Sequence, residues 1–436
     1  MKSLLRIRIQ LGLVHLAVAM TLVPINSTLN RVMIKELALS ATLVAALASL
    51  PYFFSPLQVW IGGYSDRHPI FGWRRTAYIA LGLLLCVAGV VISPQVAFLI
   101  AENRVLGILA ALVAFGAWGM GYNFASVSYL ALASELSGEK DRGRTVAVMW
   151  VMMIISIIAT AILISRMVDP YTPAALQRAF WAVGLAALVL GLIGLVKLEP
   201  RRPRPQEPEA ERVSWKQMAH VLLNNPQARL FFIYLLLLLA ALLGQDVLLE
   251  PFAAEAFGLT VAETTRITSI WGGATLLAMV TAGVMEGRLS KRIVAQTGNI
   301  VALAAFALIT LSGFLANPAV FYTGVVLLGV GTGLSTVANL SLMLDMTTAQ
   351  SVGLYIGAWG MANAFSRLTG SLLGGAVRDL ATRLLGDAVL GYTLVFSIET
   401  LMLAIAILLF TRIDVSAFQR QAEERSPIER AAMAAD

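Results

Sequence analysis

The chain has 436 residues, of which 58% are hydrophobic and 13% are charged, and its net charge is +7. A soluble domain of this length carries about 25% charged residues, so the composition excludes a soluble globular protein and predicts one that lies mostly in lipid. The single cysteine, Cys86, excludes an intramolecular disulfide and a cysteine-based metal cluster.

About twelve apolar segments follow one another along the chain, each near the roughly 20 residues that cross a bilayer as a helix. The predicted spans are 9–29, 41–62, 76–98, 104–132, 145–165, 177–197, 228–249, 267–286, 293–314, 318–343, 351–376 and 389–411. The first apolar run is too long for the core of a cleavable signal peptide, so we expect it to stay in the mature protein. The pattern predicts an all-α membrane protein with about twelve transmembrane helices in two six-helix bundles.

Polar side chains in the first span are candidates for binding, because burying such groups in lipid is costly. His15 is the one histidine inside a predicted span, and its imidazole suits a metal ligand or a proton carrier. The alternative for His15 is a structural hydrogen bond to a neighbouring helix. Asn26 and Asn30 are four residues apart, so we expect them to share a helix face and to contact a ligand.

The charged loop after the second span contains Gly-x-x-x-Asp-Arg followed by Gly-x-Arg-Arg. Its candidate gating residues are Gly62, Asp66, Arg67, Gly72, Arg74 and Arg75. The pattern resembles the helix 2–3 loop of major facilitator superfamily transporters, which implies that fold and a gate in which Asp66 pairs with an arginine or a helix N-terminus in one conformation. The alternative is a solvated basic anchor. The second glycine comes three residues later than in the usual pattern, because residues 68–70 are inserted.

A proline-rich, charged stretch at 199–216 cannot bury a core and predicts an extended linker between the two bundles. Residues 213–224 predict a short amphipathic helix on the membrane surface. The predicted organisation is an N-terminal bundle at 1–198, a cytoplasmic linker with its amphipathic helix at 199–226, a C-terminal bundle at 227–412 and a cytoplasmic tail at 413–436.

Lysine and arginine are distributed unequally between the two sets of loops. The side that holds both termini carries 22 of them and the opposite side carries 8. Because basic loops stay in the cytoplasm, we expect both termini there. The basic excess follows from topology, and no nucleic-acid partner is expected.

The seventh span contains the densest polar group, formed by Gln245, Asp246 and Glu250. Asp246 and Glu250 are four residues apart and are predicted to share a helix face. They repeat the spacing of Asn26 and Asn30 at an offset of 220 residues, which supports a duplicated six-helix unit. We expect these residues to bind a head group or a proton, the alternative being polar caps at the membrane boundary.

Two charged residues fall inside the last two predicted spans, Arg367 in the eleventh and Glu399 in the twelfth. A guanidinium inside a membrane needs a carboxylate or cavity water. Glu399 is therefore a candidate partner of Arg367, in an intramembrane ion pair or a coupling site, and packing of Glu399 against another chain is the alternative.

No catalytic motif is recognised in the chain. It lacks a phosphate-binding glycine loop, a metal-ligand cluster and a nucleophile–histidine arrangement, so neither an enzyme nor a resident metal is expected.

Three stretches go beyond the superfamily and resemble the PucC family, also called the bacteriochlorophyll delivery family, which includes the LhaA-type proteins of purple bacteria. They are 28–37, 65–68 with 72–75, and 245–252. The resemblance covers nearly the whole chain. It implies a bacterial inner, photosynthetic intracytoplasmic membrane and a role in bacteriochlorophyll handling and light-harvesting complex assembly.

The resemblance also implies partners, namely bacteriochlorophyll or its precursors, chlorophyll synthase, light-harvesting polypeptides and membrane lipid. No cofactor is required, although bound bacteriochlorophyll would be expected at the polar residues of the first and seventh spans. Two alternatives stay open from the residues alone. One is a proton-coupled transporter of a small molecule, and the other is an assembly scaffold that transports nothing.

Overall fold

The computed structural model describes residues 4–201, 224–285, 287–347 and 352–420, without the side chains of Val59, Asp66, Glu139, Lys140, 352–354 and 356. Most of the predicted linker and surface helix, and the tail beyond residue 420, lie outside the described residues. The division into two bundles joined by that linker therefore stays a prediction.

The described residues form α-helices with short π and 3-10 segments. The helices of the N-terminal half are α1 (Leu4–Met20), α2 (Ala41–Ala48), α3 (Leu50–Phe53), α4 (Leu57–Arg67), α5 (Thr76–Glu102), α6 (Arg104–Met167) and α7 (Pro173–Leu195). Those of the C-terminal half are α8 (Pro226–Gly244), α9 (Leu249–Phe257), α10 (Val261–Val284), α11 (Lys291–Leu315), α12 (Pro318–Asp345), α13 (Val352–Leu385) and α14 (Ala388–Thr411). The long α6 contains two spans that meet at Gly138, whose φ is 68°.

Ten helical segments of the described chain are long and apolar enough to cross a membrane. The all-α membrane prediction is confirmed, and the protein is a multi-pass integral membrane protein. Two predicted spans are missing from the ten. The eleventh is α13, whose hydropathy is reduced by Arg367 and several polar residues. The second is not one helix, because prolines interrupt it.

Pro51 and Pro56 divide the predicted second span into α2, α3 and α4. Proline has no backbone N–H and its ring clashes with the preceding turn, so each of them starts a new helix rather than continuing one. The first span also departs from a plain α-helix, since it continues from α1 through π segments at Pro24–Leu29 and Val32–Glu36. A π turn changes which side chains face the neighbouring helix.

We call the end of the protein that carries the loops at 68–75 and 287–290 the inner end, and the end that carries the loops at 37–40 and 258–260 the outer end. At the outer end the two halves are joined by several polar contacts. Lys35 Nζ donates to Glu255 at 2.5 Å, and Ser165 Oγ donates to the carbonyl of Ala262 at 2.8 Å. The Thr42 backbone N–H donates to Asp379 at 2.8 Å.

Ion pairs at the inner end join residues of the same half. Arg8 pairs with Asp141 at 2.6 Å in the N-terminal half, and Lys291 pairs with Asp345 at 2.9 Å in the C-terminal half. The described contacts therefore close the outer end.

Candidate functional site

A polar cluster crosses the junction between the halves. Arg367 Nη1, on α13, donates to the carboxylate of Asp246 at 3.2 Å and to the hydroxyl of Tyr52 at 3.1 Å. The guanidinium also lies over the Tyr52 ring, 5.2 Å from its centroid. Tyr52 belongs to α3 in the N-terminal half. The side chains of Arg367 and Asp246 are 27% and 28% exposed, so a ligand can reach both charges.

The position of Asp246 follows from a break in the seventh membrane helix. α8 ends at Gly244, and Gln245–Val247 form a 3-10 turn before α9 begins. Pro251, in the first turn of α9, lacks the N–H that a continuous helix would need from it. Gln245 Nε2 donates to Asp246 Oδ1 at 3.0 Å and so orients the carboxylate toward Arg367.

Glu250 forms a second polar contact between the halves. Its Oε1 accepts hydrogen bonds from Ser27 Oγ and from Thr268 Oγ1, each at 2.6 Å. The residue is buried, and its Oε2 has no hydrogen-bond partner within the described chain. Glu250 lies in the first turn of α9, where the N–H groups of the helix favour a negative charge.

Asp246 and Glu250, predicted from their spacing to share a helix face, contact different partners. The prediction assumes one continuous α-helix, whereas Asp246 lies in the 3-10 turn Gln245–Val247 and Glu250 lies in α9. Asp246 pairs with Arg367 in its own half, whereas Glu250 reaches Ser27 in the other half.

The pairing of Arg367 with Glu399 is wrong, because Arg367 pairs with Asp246. Glu399 is buried, and its Oε2 has no hydrogen-bond partner among the described residues. Its Oε1 lies 3.2 Å from the place of a Cβ on Gly244, so the carboxylate packs beside the end of α8. Glu399 therefore adds a second buried carboxyl group near the cluster without sharing the guanidinium.

Asn26 lies in the first π segment of the first span, and Asn30 directly follows that segment. Asn30 Nδ2 donates to the backbone carbonyl of Asn26 at 3.1 Å, and Asn30 Oδ1 is buried without a partner in the described chain. The side chain that reaches Glu250 is that of Ser27. The two asparagines are thus close to the contact between the halves, and their contact with a ligand stays a prediction.

His15 is buried in the N-terminal half, away from these contacts. Its ring centroid lies 4.9 Å from that of Tyr129 and 6.4 Å from that of Trp150, both on α6. Nδ1 has no hydrogen-bond partner within the described residues. The expected roles of His15 as a ligand or as a proton carrier stay predictions.

The candidate gating loop forms a compact turn after α4. Ile70 and Trp73 exchange two backbone hydrogen bonds of 3.0 Å, and between them Gly72 has a φ of 80°, which favours glycine. Arg67 Nε donates to the carbonyl of Gly63 at 3.1 Å, within its own helix. Gly62 lies on α4 with a Val127 methyl 3.4 Å from the place of its missing Cβ.

Glu135 and Glu199 hold the basic end of this loop. Arg74 and Arg75 donate to the Glu135 carboxylate at 3.1 and 3.2 Å. Glu199 accepts from the backbone N–H groups of Arg74, Arg75 and Thr76 and so caps α5. The side chain of Asp66 lies outside the described part, so the predicted pairing of Asp66 is not tested. The sequence argument missed Glu199, because this residue follows the sixth predicted span and no spacing rule connects it with the loop before α5.

The inter-half cluster combines hydrogen-bond donors with buried carboxyl groups. Arg367, Gln245 and Tyr52 can donate to carbonyl or ester oxygens of a ligand, while Glu250 and Glu399 each have an oxygen without a partner among the described residues. No group of three metal-ligating side chains occurs in the described ranges. The arrangement suits binding of a polar group attached to a larger apolar molecule.

Comparisons with known proteins find similar sequences over nearly the whole chain. Residues 28–418 match the family described as PUCC protein. Protein PucC of Rhodovulum sulfidophilum is 32% identical over 404 residues, which cover 90% of this chain and 89% of that protein. The Bacteriochlorophyll synthase 44.5 kDa chain of Rhodobacter capsulatus is 30% identical over 411 residues, covering 92% and 94% of the two chains.

Solved transporter structures share the fold at low identity. A crystal structure of the nucleoside transporter NupG superposes with a TM-score of 0.73 at 14% identity, over 93% of this chain and 99% of NupG. A bacterial homologue of the human lysosomal transporter Spinster, inward-facing and unoccupied, gives a TM-score of 0.71 at 13% identity, over 97% and 99% of the chains. The predicted major facilitator fold is confirmed. Identities this low support a shared fold and do not extend to function.

Proposed function

Because the chain belongs to the PUCC protein family, we propose that it handles or delivers bacteriochlorophyll in a photosynthetic bacterium and assists the assembly of light-harvesting complexes. Similarity over 90% or more of the chain to a protein named Protein PucC and to one named as a bacteriochlorophyll synthase chain supports this function. The family relationship alone does not say where a pigment would bind.

The observation that carries the proposal is the Tyr52–Asp246–Arg367 cluster at the junction of the halves. A bacteriochlorophyll head group is a flat ring with keto and ester oxygens, which accept hydrogen bonds but do not donate them. Arg367, Gln245 and Tyr52 supply donors in one place. The apolar tail of the pigment can stay in lipid while the cluster holds the polar edge of the ring.

We place the protein in the inner, intracytoplasmic membrane with both termini in the cytoplasm. The excess of 22 basic residues over 8 between the two sets of loops supports this orientation. The inner end then faces the cytoplasm, and the closed outer end faces the opposite side. In this orientation a pigment made at the cytoplasmic surface would enter from the inner end.

The proposed role is delivery without catalysis, in contact with chlorophyll synthase and nascent light-harvesting polypeptides. The shared fold is that of transporters, and the sequence has no aspartate-rich motif for a prenyl diphosphate. The partners follow from the family's link to bacteriochlorophyll and from the need to pass an insoluble, photo-toxic pigment directly between membrane proteins.

The test is to express the protein in a bacteriochlorophyll-producing host that lacks its own copy, and to compare wild type with Arg367→Gln and with Asp246→Asn combined with Glu250→Gln. The readouts are the pigment that co-purifies with the protein and the light-harvesting absorbance of the membranes. Both should fall in the variants at equal protein level, because Arg367→Gln removes the guanidinium donor and the double variant removes the Asp246 carboxylate that holds Arg367 in place.

Lys291→Gln combined with Asp345→Asn is the matched control, since it removes an ion pair of the same charges at the inner end of one half. Normal pigment and normal antenna assembly in both site variants would overturn the proposal. A colourless protein that moves a small solute in response to a pH gradient would replace it with proton-coupled transport.

A further inference from the structure

Three aromatic rings form a ladder on the exposed side of α4. Trp60 and Tyr64 stack with centroids 5.1 Å apart and planes at 23°, and Tyr64 and His68 stack at 4.1 Å and 16°. The residues are four apart, so the rings follow one helix face over about 12 Å. Trp60 is 61% exposed and Tyr64 is 38% exposed, so the ladder presents aromatic surface outside the packed core.

The hydrogen bond of His68 determines which of its nitrogens is free. Nδ1 lies 3.1 Å from the backbone carbonyl of Tyr64. A carbonyl can only accept, so Nδ1 carries the hydrogen and the neutral ring has its lone pair on Nε2. Nε2 has no hydrogen-bond partner within the described chain, and the side chain is exposed. Because Nδ1 points at its own helix, Nε2 points away from it.

The same arrangement orients histidine ligands in metal sites. There a ligating imidazole commonly donates its other N–H to a carbonyl, which fixes the tautomer and the ring orientation. The hydroxyl of Tyr78 also donates to the His68 carbonyl at 2.8 Å, so the end of α4 is fixed from a second helix. His68 is therefore positioned as a single nitrogen donor that faces outward.

The neighbouring rings match one class of ligand, a flat macrocycle with a central metal. A metal bound to Nε2 lies in the imidazole plane, so the macrocycle would stand across that plane and along the helix. The Tyr64 ring is nearly parallel to the imidazole, and the Trp60 ring is inclined by 23° to that of Tyr64, so both would meet the macrocycle with their edges. Edge-to-face contacts are favourable for aromatic rings.

The surroundings of the ladder leave space for such a ligand. α13 packs against α2 and α3, whereas α4 packs mainly against α6. Phe71, 82% exposed in the following turn, continues the apolar surface beyond His68. The site lies at the inner end, and His68 is the first of the residues inserted relative to the usual transporter loop.

We propose that Trp60, Tyr64 and His68 form a docking site for a magnesium tetrapyrrole, with His68 Nε2 as the axial ligand. The site rests on the proposed function and extends it, because it gives the pigment a first binding place outside the cluster between the halves. A pigment held there would reach the cluster by moving along α4 and α3 toward Tyr52.

The test compares bacteriochlorophyll a with metal-free bacteriopheophytin a, titrated into purified full-length protein in detergent. Binding is followed by absorbance and by visible circular dichroism. Wild type should prefer the magnesium pigment. His68→Ala should reduce the ratio of the affinities for the two pigments by about tenfold or more, which is the scale on which changes at metal sites alter affinity. Trp60→Leu and Tyr64→Leu should weaken binding of both pigments.

Trp181→Leu is the matched control, since Trp181 is 57% exposed on α7 and makes no ring contact within the described residues. Folding of each variant is checked by gel filtration and far-ultraviolet circular dichroism. Unchanged metal preference in a folded His68→Ala variant overturns the site while leaving the proposed function intact. Loss of preference in His15→Ala instead would assign the ligand to His15 and also overturn it. Wild-type protein that binds neither pigment overturns both proposals.

Discussion

The Asp379 carboxylate, near the end of α13, accepts a hydrogen bond of 2.8 Å from the backbone N–H of Thr42 at the start of α2. It also accepts from the Thr42 hydroxyl at 2.7 Å and from the Ala41 N–H at 3.0 Å. A side chain of one half thus caps a helix of the other. The contact joins the two halves at the outer end, so it contributes to holding that end closed.

Asp379→Asn should favour opening of the outer end. The variant keeps an oxygen that can accept a hydrogen bond but loses the negative charge, which is worth about 0.3–1 kcal/mol near a helix N-terminus. The measurement is labelling of a Thr265→Cys variant with a water-soluble maleimide, because Thr265 is fully buried at the contact between the halves. Labelling should become faster by severalfold when Asp379→Asn is added.

Asp387→Asn is the control for this prediction. Asp387 caps α14 within its own half, through the N–H groups of Val389 and Leu390. Its loss should lower stability by a similar amount without changing the labelling rate. Equal labelling rates in the two variants would mean that Asp379 caps α2 without affecting the opening of the outer end.

Arg367 and Asp246 should depend on each other for stability. Arg367→Gln leaves the Asp246 carboxylate without its cation, and Asp246→Asn leaves the guanidinium without its anion. Breaking a fully buried pair costs about 3–5 kcal/mol. The cost here should be smaller, because the side chains are 27% and 28% exposed. Each single variant should unfold at a lower temperature than the wild type in a detergent melting experiment.

The double variant Arg367→Gln with Asp246→Asn should recover part of that loss, since neither charge is then unpaired. Pigment binding should not recover with it, because the donor is gone. If the decreases in melting temperature of the two single variants add up in the double variant, the pair makes no stabilising interaction.

The sequence was sufficient to predict the membrane-spanning segments, but not the positions at which their helices are interrupted. Hydrophobic length predicted the membrane spans, and the charged residues inside them indicated a binding site. The prolines at 51, 56 and 251 were visible, but a proline can start, kink or end a helix, and the surrounding packing decides which. The 3-10 turn at Gln245–Val247 moved Asp246 and Glu250 onto different partners.

Partners across the two halves could not be inferred from one sequence. Tyr52 and Arg367 are 315 residues apart, and Ser27 and Glu250 are 223 apart. Spacing rules act within one helix turn or two, so they say nothing about such pairs. The repeat indicated that the first and seventh helices correspond, but it favoured Asn26 and Asn30, since the π segment that presents Ser27 was not foreseen.

Glu199 should stabilise the turn before α5. It accepts three backbone N–H groups there, and the neighbouring Arg201 lies over the Trp73 ring at 4.5 Å. Glu199→Ala should therefore lower stability by about 0.5–2 kcal/mol, as for other lost caps. Hydrogen exchange in 68–76 should become faster. Glu102→Ala, at the exposed opposite end of α5, is the control and should leave that region unchanged.

Gly370 should be required for the close packing of α13 against α8. The chain continues from the end of α8 directly into the turn that contains Asp246. A Cβ on Gly370 would lie 2.6 Å from the Ala240 carbonyl oxygen, closer than real atoms come. Small residues at such positions allow membrane helices to pack closely. Gly370→Val should separate the helices, lower the melting temperature and weaken pigment binding together, because Arg367 and Asp246 lie on the two helices that move apart.

Gly360→Val is the matched variant on the same helix, since nothing lies within 4 Å of a Cβ at Gly360. It introduces the same β-branched side chain into α13, with the same small change in helix propensity relative to glycine, but without a clash. Its melting temperature and pigment binding should stay close to wild type. If both variants lose binding equally, the effect comes from valine in α13 itself, and the close contact between α8 and α13 does not position the cluster.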